Sequence, residues 1–302
     1  MDHYNITPPN PVAFQIGGIT MHWYGLLIGI GIVLAVYTCI KIGKKQGFTA
    51  EFITDALLLG LPLSIIGTRL YFILFNLEHY LFGPGRIWAI HEGGLAIHGG
   101  IITAALFGWW YLKKKKVPVL PFLDLVSIGF FIGQIVGRFG NFMNQEAYGR
   151  IIAGANLDAQ RSFLTSLFIP RFIVDGMFIN GNYHHPTFLY ESLWNLAGLA
   201  IAIFVLRKLK RVLVGEIAAF YAIWYSFGRI FIEALRTDSL MIGQLRTAQV
   251  ISVITIILVT TLIVYRRKTK KIMINYTEFN LDDYTEAEKK KNNYQKQAKK
   301  KR

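Results

Sequence analysis

Cysteine is nearly absent from this chain: Cys39 is the only one among 302 residues. An intrachain disulfide is therefore impossible, and a thiolate metal site cannot be assembled. Cys39 falls inside an apolar run, where it reads as a small packing residue. Charge is scarce as well, at 17% against 53% hydrophobic residues. A soluble domain of this length must carry more charge on its surface. The N-terminus has Asp2, Pro8, Pro9 and Pro11 but no basic stretch, so no cleavable signal peptide is expected. The histidines are scattered over separate segments without metal-ligand spacing, so no metal is expected. No internal repeat is visible, which argues against an inverted-repeat transporter.

What the chain does have is apolar runs of bilayer-spanning length. Seven can be read, at about 21–40, 55–75, 95–112, 121–140, 187–206, 214–232 and 245–265. Lysine is missing from every second connection. It reappears after the first run (Lys41, Lys44, Lys45), the third (Lys113 to Lys116), the fifth (Lys208, Lys210, beside Arg207 and Arg211) and the seventh (Lys268, Lys270, Lys271). Positively charged loops stay cytoplasmic. The expectation is an all-α polytopic membrane bundle of seven helices, N-terminus outside and C-terminus inside. The net charge of +15 then records topology and needs no nucleic-acid partner. It favours anionic lipid at the inner surface. The expected organisation is an outer N-terminal segment (1–20), a transmembrane catalytic domain (21–265) with a small outer head (141–186), and a basic cytoplasmic tail (266–302). From about residue 272 the tail reads as a solvated extension.

Ionisable side chains within spans are costly and face a bundle interior. Counting ~1.5 Å per residue along each run, Arg138 and Asn141 fall near the outer end of run 4. Tyr225, Arg229 and Glu233 fall in the outer half of run 6, His98 in the first turn of run 3, Arg69 in run 2, and Tyr24 at the start of run 1. Five spans thus converge on one depth. Tyr221, Tyr225, Arg229 and Glu233 are spaced by four and form a stripe, with Arg236 following. Two readings stay open for the arginines: structural pairing, with Arg229–Glu233 as an ion pair and others snorkelling to headgroups, or phosphate binding, for which arginine is the better bidentate ligand. Glu51, Asp55, Asp124 and Glu216 sit near helix starts, where they complement the dipole.

Two glycine-rich stretches flank these residues: His91 to Gly100, and Gly137-Arg138-Phe139-Gly140-Asn141-Phe142-Met143-Asn144-Gln145-Glu146-Ala147-Tyr148-Gly149. The second resembles the signature Gly-Arg-x-Gly-Asn-Phe-x-Asn-x-Glu-x-x-Gly of bacterial prolipoprotein diacylglyceryl transferases. His98-Gly99-Gly100, the segment from His185 to Glu191, the segment Gly228-Arg229-Ile230-Phe231-Ile232-Glu233 with Arg236, and Trp23-Tyr24-Gly25 resemble further family segments, in the right order, over about residues 20–265.

The resemblance implies transfer of the diacylglyceryl group of phosphatidylglycerol to the lipobox cysteine of prolipoprotein signal peptides. The products are a thioether and glycerol 1-phosphate, with no metal or organic cofactor. It implies a bacterial plasma-membrane enzyme acting at the outer leaflet. By resemblance, Arg138 binds the headgroup and Arg229 is a second phosphate ligand. Asn141 and Glu146 orient glycerol hydroxyls, and Tyr24 and Tyr225 contact substrate. Gly99, Gly149, Glu233 and Arg236 join the phosphatidylglycerol site. His98 is the candidate general base, with Tyr225 or solvent as the alternative. An anionic-solute transporter would carry polar residues to the inner face, whereas the inner halves of the runs are apolar. A non-catalytic lipid-binding scaffold is the other competing reading.

Overall fold

A computed structural model describes residues 8–81, 83, 85–88, 93–269 and 273–286. His3, His91, Glu92, Lys270, Lys271 and the charged tail beyond 286 lie outside the described residues. Each of the seven apolar runs is a long helix: α1 (Trp23–Gly43), α2 (Ala50–Leu74), α4 (Ile97–Lys115), α5 (Val119–Met143), α8 (Thr187–Ala200, continued by a π turn and a 3-10 turn), α9 (Glu216–Leu235) and α10 (Thr247–Lys268). Short helices α3 (Leu77–Leu81), α6 (Leu157–Ser166) and α7 (Arg171–Gly176) lie between them.

Among the described residues, five helices are long and apolar enough to cross a membrane: α1, α2, α5, α8 with its continuation, and α10. Seven spans were expected. Helices α4 and α9 fall short of that apolarity because α4 carries His98, three glycines, two tryptophans and Tyr111, while α9 carries Tyr221, Tyr225, Arg229 and Glu233.

Among the described residues, three antiparallel hairpins interrupt the all-helical expectation: β1 (Val12–Ile16) with β2 (Ile19–His22), β3 (Phe178–Ile179) with β4 (Asn182–Tyr183), and β5 (Met241–Ile242) with β6 (Leu245–Arg246). The first turns on Gly17 and Gly18, both at positive φ (56° and 83°). That backbone suits a two-residue hairpin and is strained for other residues.

By contact the chain divides into two compact units, Met1–Thr38 with Leu123–Glu278, and Cys39–Phe122 with Phe279–Arg302. In the first, the segment between α5 and α8 contributes Ile152, Leu164, Val174 and Tyr183 to an apolar core shared with Phe142 of α5 and Phe188 of α8. Helices α8 and α9 are joined by a reciprocal clasp. The Trp194 indole donates to the Trp224 carbonyl (2.8 Å) and the Trp224 indole to the Trp194 carbonyl (2.9 Å), with the rings stacked 4.3 Å apart. Gly198 and Gly228 make room for the two indoles; a Cβ at either would collide with the facing ring.

The start of α9 is capped from another helix. Asp124 of α5 is fully buried, and its carboxylate accepts the Gly215 N–H (2.5 Å) and the Ala218 N–H (2.8 Å). It satisfies donors that the first helical turn leaves unpaired. Asp124→Ala would strand both in a dry site, at a cost of about 1–3 kcal/mol. A lowered thermal unfolding midpoint is expected, with Asp124→Asn intermediate; an unchanged midpoint in Asp124→Ala would show that the cap carries no weight.

The second unit is built on α2 against α4. Gly67 and Gly99 meet where the helices cross: a Cβ at Gly99 would strike the Gly67 backbone. Tyr111 stacks on Phe52 at 5.2 Å, and its hydroxyl donates to the Phe52 carbonyl at 3.2 Å.

The tail corrects an expectation. Residues 273–286 are docked rather than solvated. The Tyr276 N–H donates to the Val212 carbonyl (2.8 Å) and the Val214 N–H to the Ile274 carbonyl (2.9 Å), and Tyr276 is buried. Phe279 is buried beside Phe48, ring centroids 6.4 Å apart. The two buried aromatics, Tyr276 and Phe279, supply apolar surface that holds this stretch down.

Candidate functional site

In the first unit, α5, α8 and α9 bring four ionised groups together. Helix α5 stays regular through Met143, so Arg138 and Asn141 share its last turns. Arg138 donates from Nη2 to Glu191 Oε1 at 2.5 Å. Arg229 of α9 donates from Nη1 to both Glu191 oxygens, at 3.4 and 3.3 Å. Its Nη2 lies 2.6 Å from Glu233 Oε2, one helical turn on. Both carboxylates are buried, and the guanidiniums retain 19% (Arg138) and 14% (Arg229) side-chain exposure, so each remains partly reachable. Two cations and two anions make the cluster neutral, as buried charges require. Tyr225 stacks on Tyr221 one turn from Arg229, centroids 6.2 Å apart.

Glu191 is the member that the sequence expectations left without a role. It sits within an apolar run, so the rule that singled out Arg138 and Arg229 applies to it equally.

Beyond Met143 the chain turns sharply. Gln145 and Ala147 both take positive φ, near 49° and 56°, a conformation unusual for residues with a Cβ. The turn places Glu146 over the end of α5, where Asn141 Nδ2 donates to Glu146 Oε1 at 2.7 Å and the Glu146 N–H returns to the Asn141 carbonyl at 3.0 Å. This pair is partly exposed. The turn is held by Thr187, whose hydroxyl donates to the Ala147 carbonyl (2.6 Å), and by Gln145, which donates to the Gly176 carbonyl (3.0 Å).

Two glycines of the signature have steric reasons. At Gly149 a Cβ would lie 2.7 Å from His185 Cβ, while the Gly149 N–H donates to the His185 carbonyl at 2.9 Å. At Gly140 a Cβ would lie 2.7 Å from the Tyr24 ring, so Tyr24 rests on bare backbone there. His184 is buried with Nδ1 2.7 Å from the Gly149 carbonyl. His185 titrates below the ordinary histidine range because burial, and then the charges of Arg150 and His184, disfavour its cation.

Most other arginines are taken up by the protein itself. Arg150 and Arg246 cap the C-terminus of α9, Arg150 donating to the Ala234 carbonyl and Arg246 to the carbonyls of Glu233 and Arg236. Cations there oppose the negative end of the helix dipole. Arg236 pairs bidentately with Asp238 at 3.0 and 2.8 Å. Hydrogen bonding from Arg236 holds the Asp238 carboxyl below the usual carboxylate range. In the second unit Arg69 donates to the carbonyls of Arg86, Ile87, Gly93 and Gly94, lining a cavity of about 380 Å³. This unit also carries His98, exposed in the first turn of α4 with its ring 6.0 Å from that of Tyr71. Among the described residues no group of three or more histidine, cysteine, aspartate or glutamate side chains could hold a metal ion.

Of the residues expected at the site, the first unit therefore joins Arg138 and Arg229 through Glu191, and Glu233 to Arg229. It pairs Asn141 with Glu146, and sets Gly149 against His185 and, by a β-bridge, Arg236. Gly99 is engaged in helix packing.

Comparison with known proteins adds an independent line. The family model for prolipoprotein diacylglyceryl transferase matches residues 11–265. Proteins named phosphatidylglycerol–prolipoprotein diacylglyceryl transferase are similar along most of their length. The Bacillus velezensis protein is 44% identical over 263 residues, covering 86% of this chain and 93% of its own. That of Bacillus licheniformis is 44% identical over 276 residues, covering 90% and 98%. That of Bacillus cereus is 42% identical over 269 residues, covering 88% and 96%.

Proposed function

Because the chain belongs to the prolipoprotein diacylglyceryl transferase family, we propose that it moves the diacylglyceryl group of phosphatidylglycerol onto the lipobox cysteine thiol of prolipoproteins. The observation that carries this reading at the site is the pair of guanidiniums, Arg138 and Arg229, converging on one buried carboxylate with part of each still accessible. A carbon–sulfur bond forms at the glyceryl carbon as its bond to phosphate oxygen breaks. The thiol proton passes to a base, and the phosphate leaves as glycerol 1-phosphate. Charge gathers on the leaving phosphate, and positioned guanidiniums stabilise it there.

The remaining roles follow the same reading. The Asn141–Glu146 pair orients the glycerol headgroup, with Gly149 fixing the turn that presents it. Tyr24, resting on Gly140, and Tyr225 line the substrate. Glu233 and Arg236 hold the Arg229 end of the site, and Gly99 sets the helix start that carries His98, the general base. The nucleophilic sulfur comes from the substrate, so the chain's one buried cysteine has no chemical part. The reaction needs no metal or organic cofactor.

For the membrane, the reading is seven spans, adding α4 and α9 to the five apolar helices, with the N-terminus outside and the C-terminus inside a bacterial plasma membrane. The lysine-free connections support this orientation. The site then belongs to the outer leaflet, where the head between α5 and α8 stands.

The test is direct. Purified protein incubated with phosphatidylglycerol and a lipobox peptide is expected to yield a diacylglyceryl thioether and glycerol 1-phosphate in equal amounts. Headgroup binding without product would support a lipid-binding scaffold and overturn the enzyme reading.

A further inference from the structure

Glu191 is buried among helices rather than placed on a loop, and its position is fixed on both sides. On one side the Ser192 hydroxyl donates to the Ile135 carbonyl of α5 at 3.0 Å, one turn before Arg138. On the other, the Trp194–Trp224 clasp locks α8 to α9 one turn from Glu191. The carboxylate consequently meets guanidiniums from two other helices at once. Its own exposure is 3%, so these contacts are made in a weakly screening interior. Among the described residues, Arg138 Nε and Nη1 have no partner, so the carboxylate occupies only part of the donor set a phosphate would use.

A bare Arg138–Arg229 pair would be a trap. It would hold the singly charged diester tightly and the more highly charged monoester product more tightly still. Binding that favours ground state or product does not accelerate the reaction. With Glu191 and Glu233 both ionised, the cluster is neutral.

Resting on the transferase reading above, we propose that Glu191 is a positioning residue that holds Arg138 and Arg229 as a phosphate clamp and competes with the phosphate for them, so that glycerol 1-phosphate is released. The competition acts through charge, and the positioning through the length of the side chain. The two can therefore be separated by substitution.

Glu191→Gln removes the charge at nearly constant shape. The expected result is a lower kcat, a lower KM for phosphatidylglycerol, and binding of glycerol 1-phosphate tighter by about tenfold or more. The last is measured by calorimetry on detergent-solubilised protein as well as by product inhibition. A residue of merely structural importance would lower kcat without tightening product. Glu191→Asp keeps the charge on a shorter stem, so kcat should fall while glycerol 1-phosphate binding stays within about twofold of wild type. Unchanged glycerol 1-phosphate binding in Glu191→Gln would overturn the competition. If that variant fails to fold, full wild-type kcat in Glu191→Asp would overturn the positioning. Because calorimetry reads binding without turnover, it tests Glu191 even if wild-type protein transferred nothing, and only that latter result would count against the transferase reading.

Discussion

Arg138→Ala is expected to lower diacylglyceryl transfer by roughly 10²–10³-fold in kcat, the usual loss when one positioned donor to a developing anion is removed. A second effect adds to it. Arg138 makes the shortest contact to Glu191, at 2.5 Å, and Arg229 alone would have to neutralise a carboxylate that is 3% exposed. Removing one partner of a buried ion pair costs about 3–5 kcal/mol, so the thermal midpoint should fall as well. The protein should still insert, because α5 keeps its apolar length without this side chain. Arg138→Lys keeps the charge but loses the planar fork that can serve a carboxylate and a phosphate together; its rate should lie between those of wild type and the alanine variant. The assay is single-turnover transfer to a lipobox peptide at saturating phosphatidylglycerol, with membrane insertion checked separately. Wild-type rates in Arg138→Ala would remove this residue from the phosphate role.

The helices were legible because a spanning helix writes itself as an uninterrupted apolar run, and all seven runs became helices. The run at 214–232 was legible as a stripe too, since Tyr221, Tyr225, Arg229 and Glu233 share one face, and Arg229 does pair with Glu233. What one sequence cannot encode locally is which distant residue answers a charge. Glu191 and Arg138 are 53 residues apart, and no spacing rule links them. The same limit applies to the other arginines: Arg69, Arg150 and Arg246 donate to backbone carbonyls, and nothing in their local sequence sets them apart from Arg138. The distinction depends on helix ends and loops that meet only in the fold. The docked tail escaped for a related reason: its polar composition outweighs Tyr276 and Phe279, whose burial needs partners at Val212 and Phe48.

His98 carries the second large expectation. It begins α4 just ahead of Gly99, whose close approach to Gly67 fixes that end of the helix against α2. The imidazole is exposed and has a ring contact with Tyr71. Acting as the proposed general base, it would contribute roughly 10²–10⁴-fold to the rate. His98→Asn keeps a hydrogen-bonding side chain of similar reach but cannot accept the thiol proton. Its kcat should fall within that range while phosphatidylglycerol binding changes little, and the acidic limb of the pH–rate profile should disappear. His98→Gln is the companion variant, because a role confined to orienting lipid would be partly rescued by either amide, with the pH dependence left as in wild type. Should both amide variants retain the acidic limb, the proton goes elsewhere, and Tyr225, stacked on Tyr221 one turn from Arg229, becomes the side chain to replace next, with Tyr225→Phe read by the same profile.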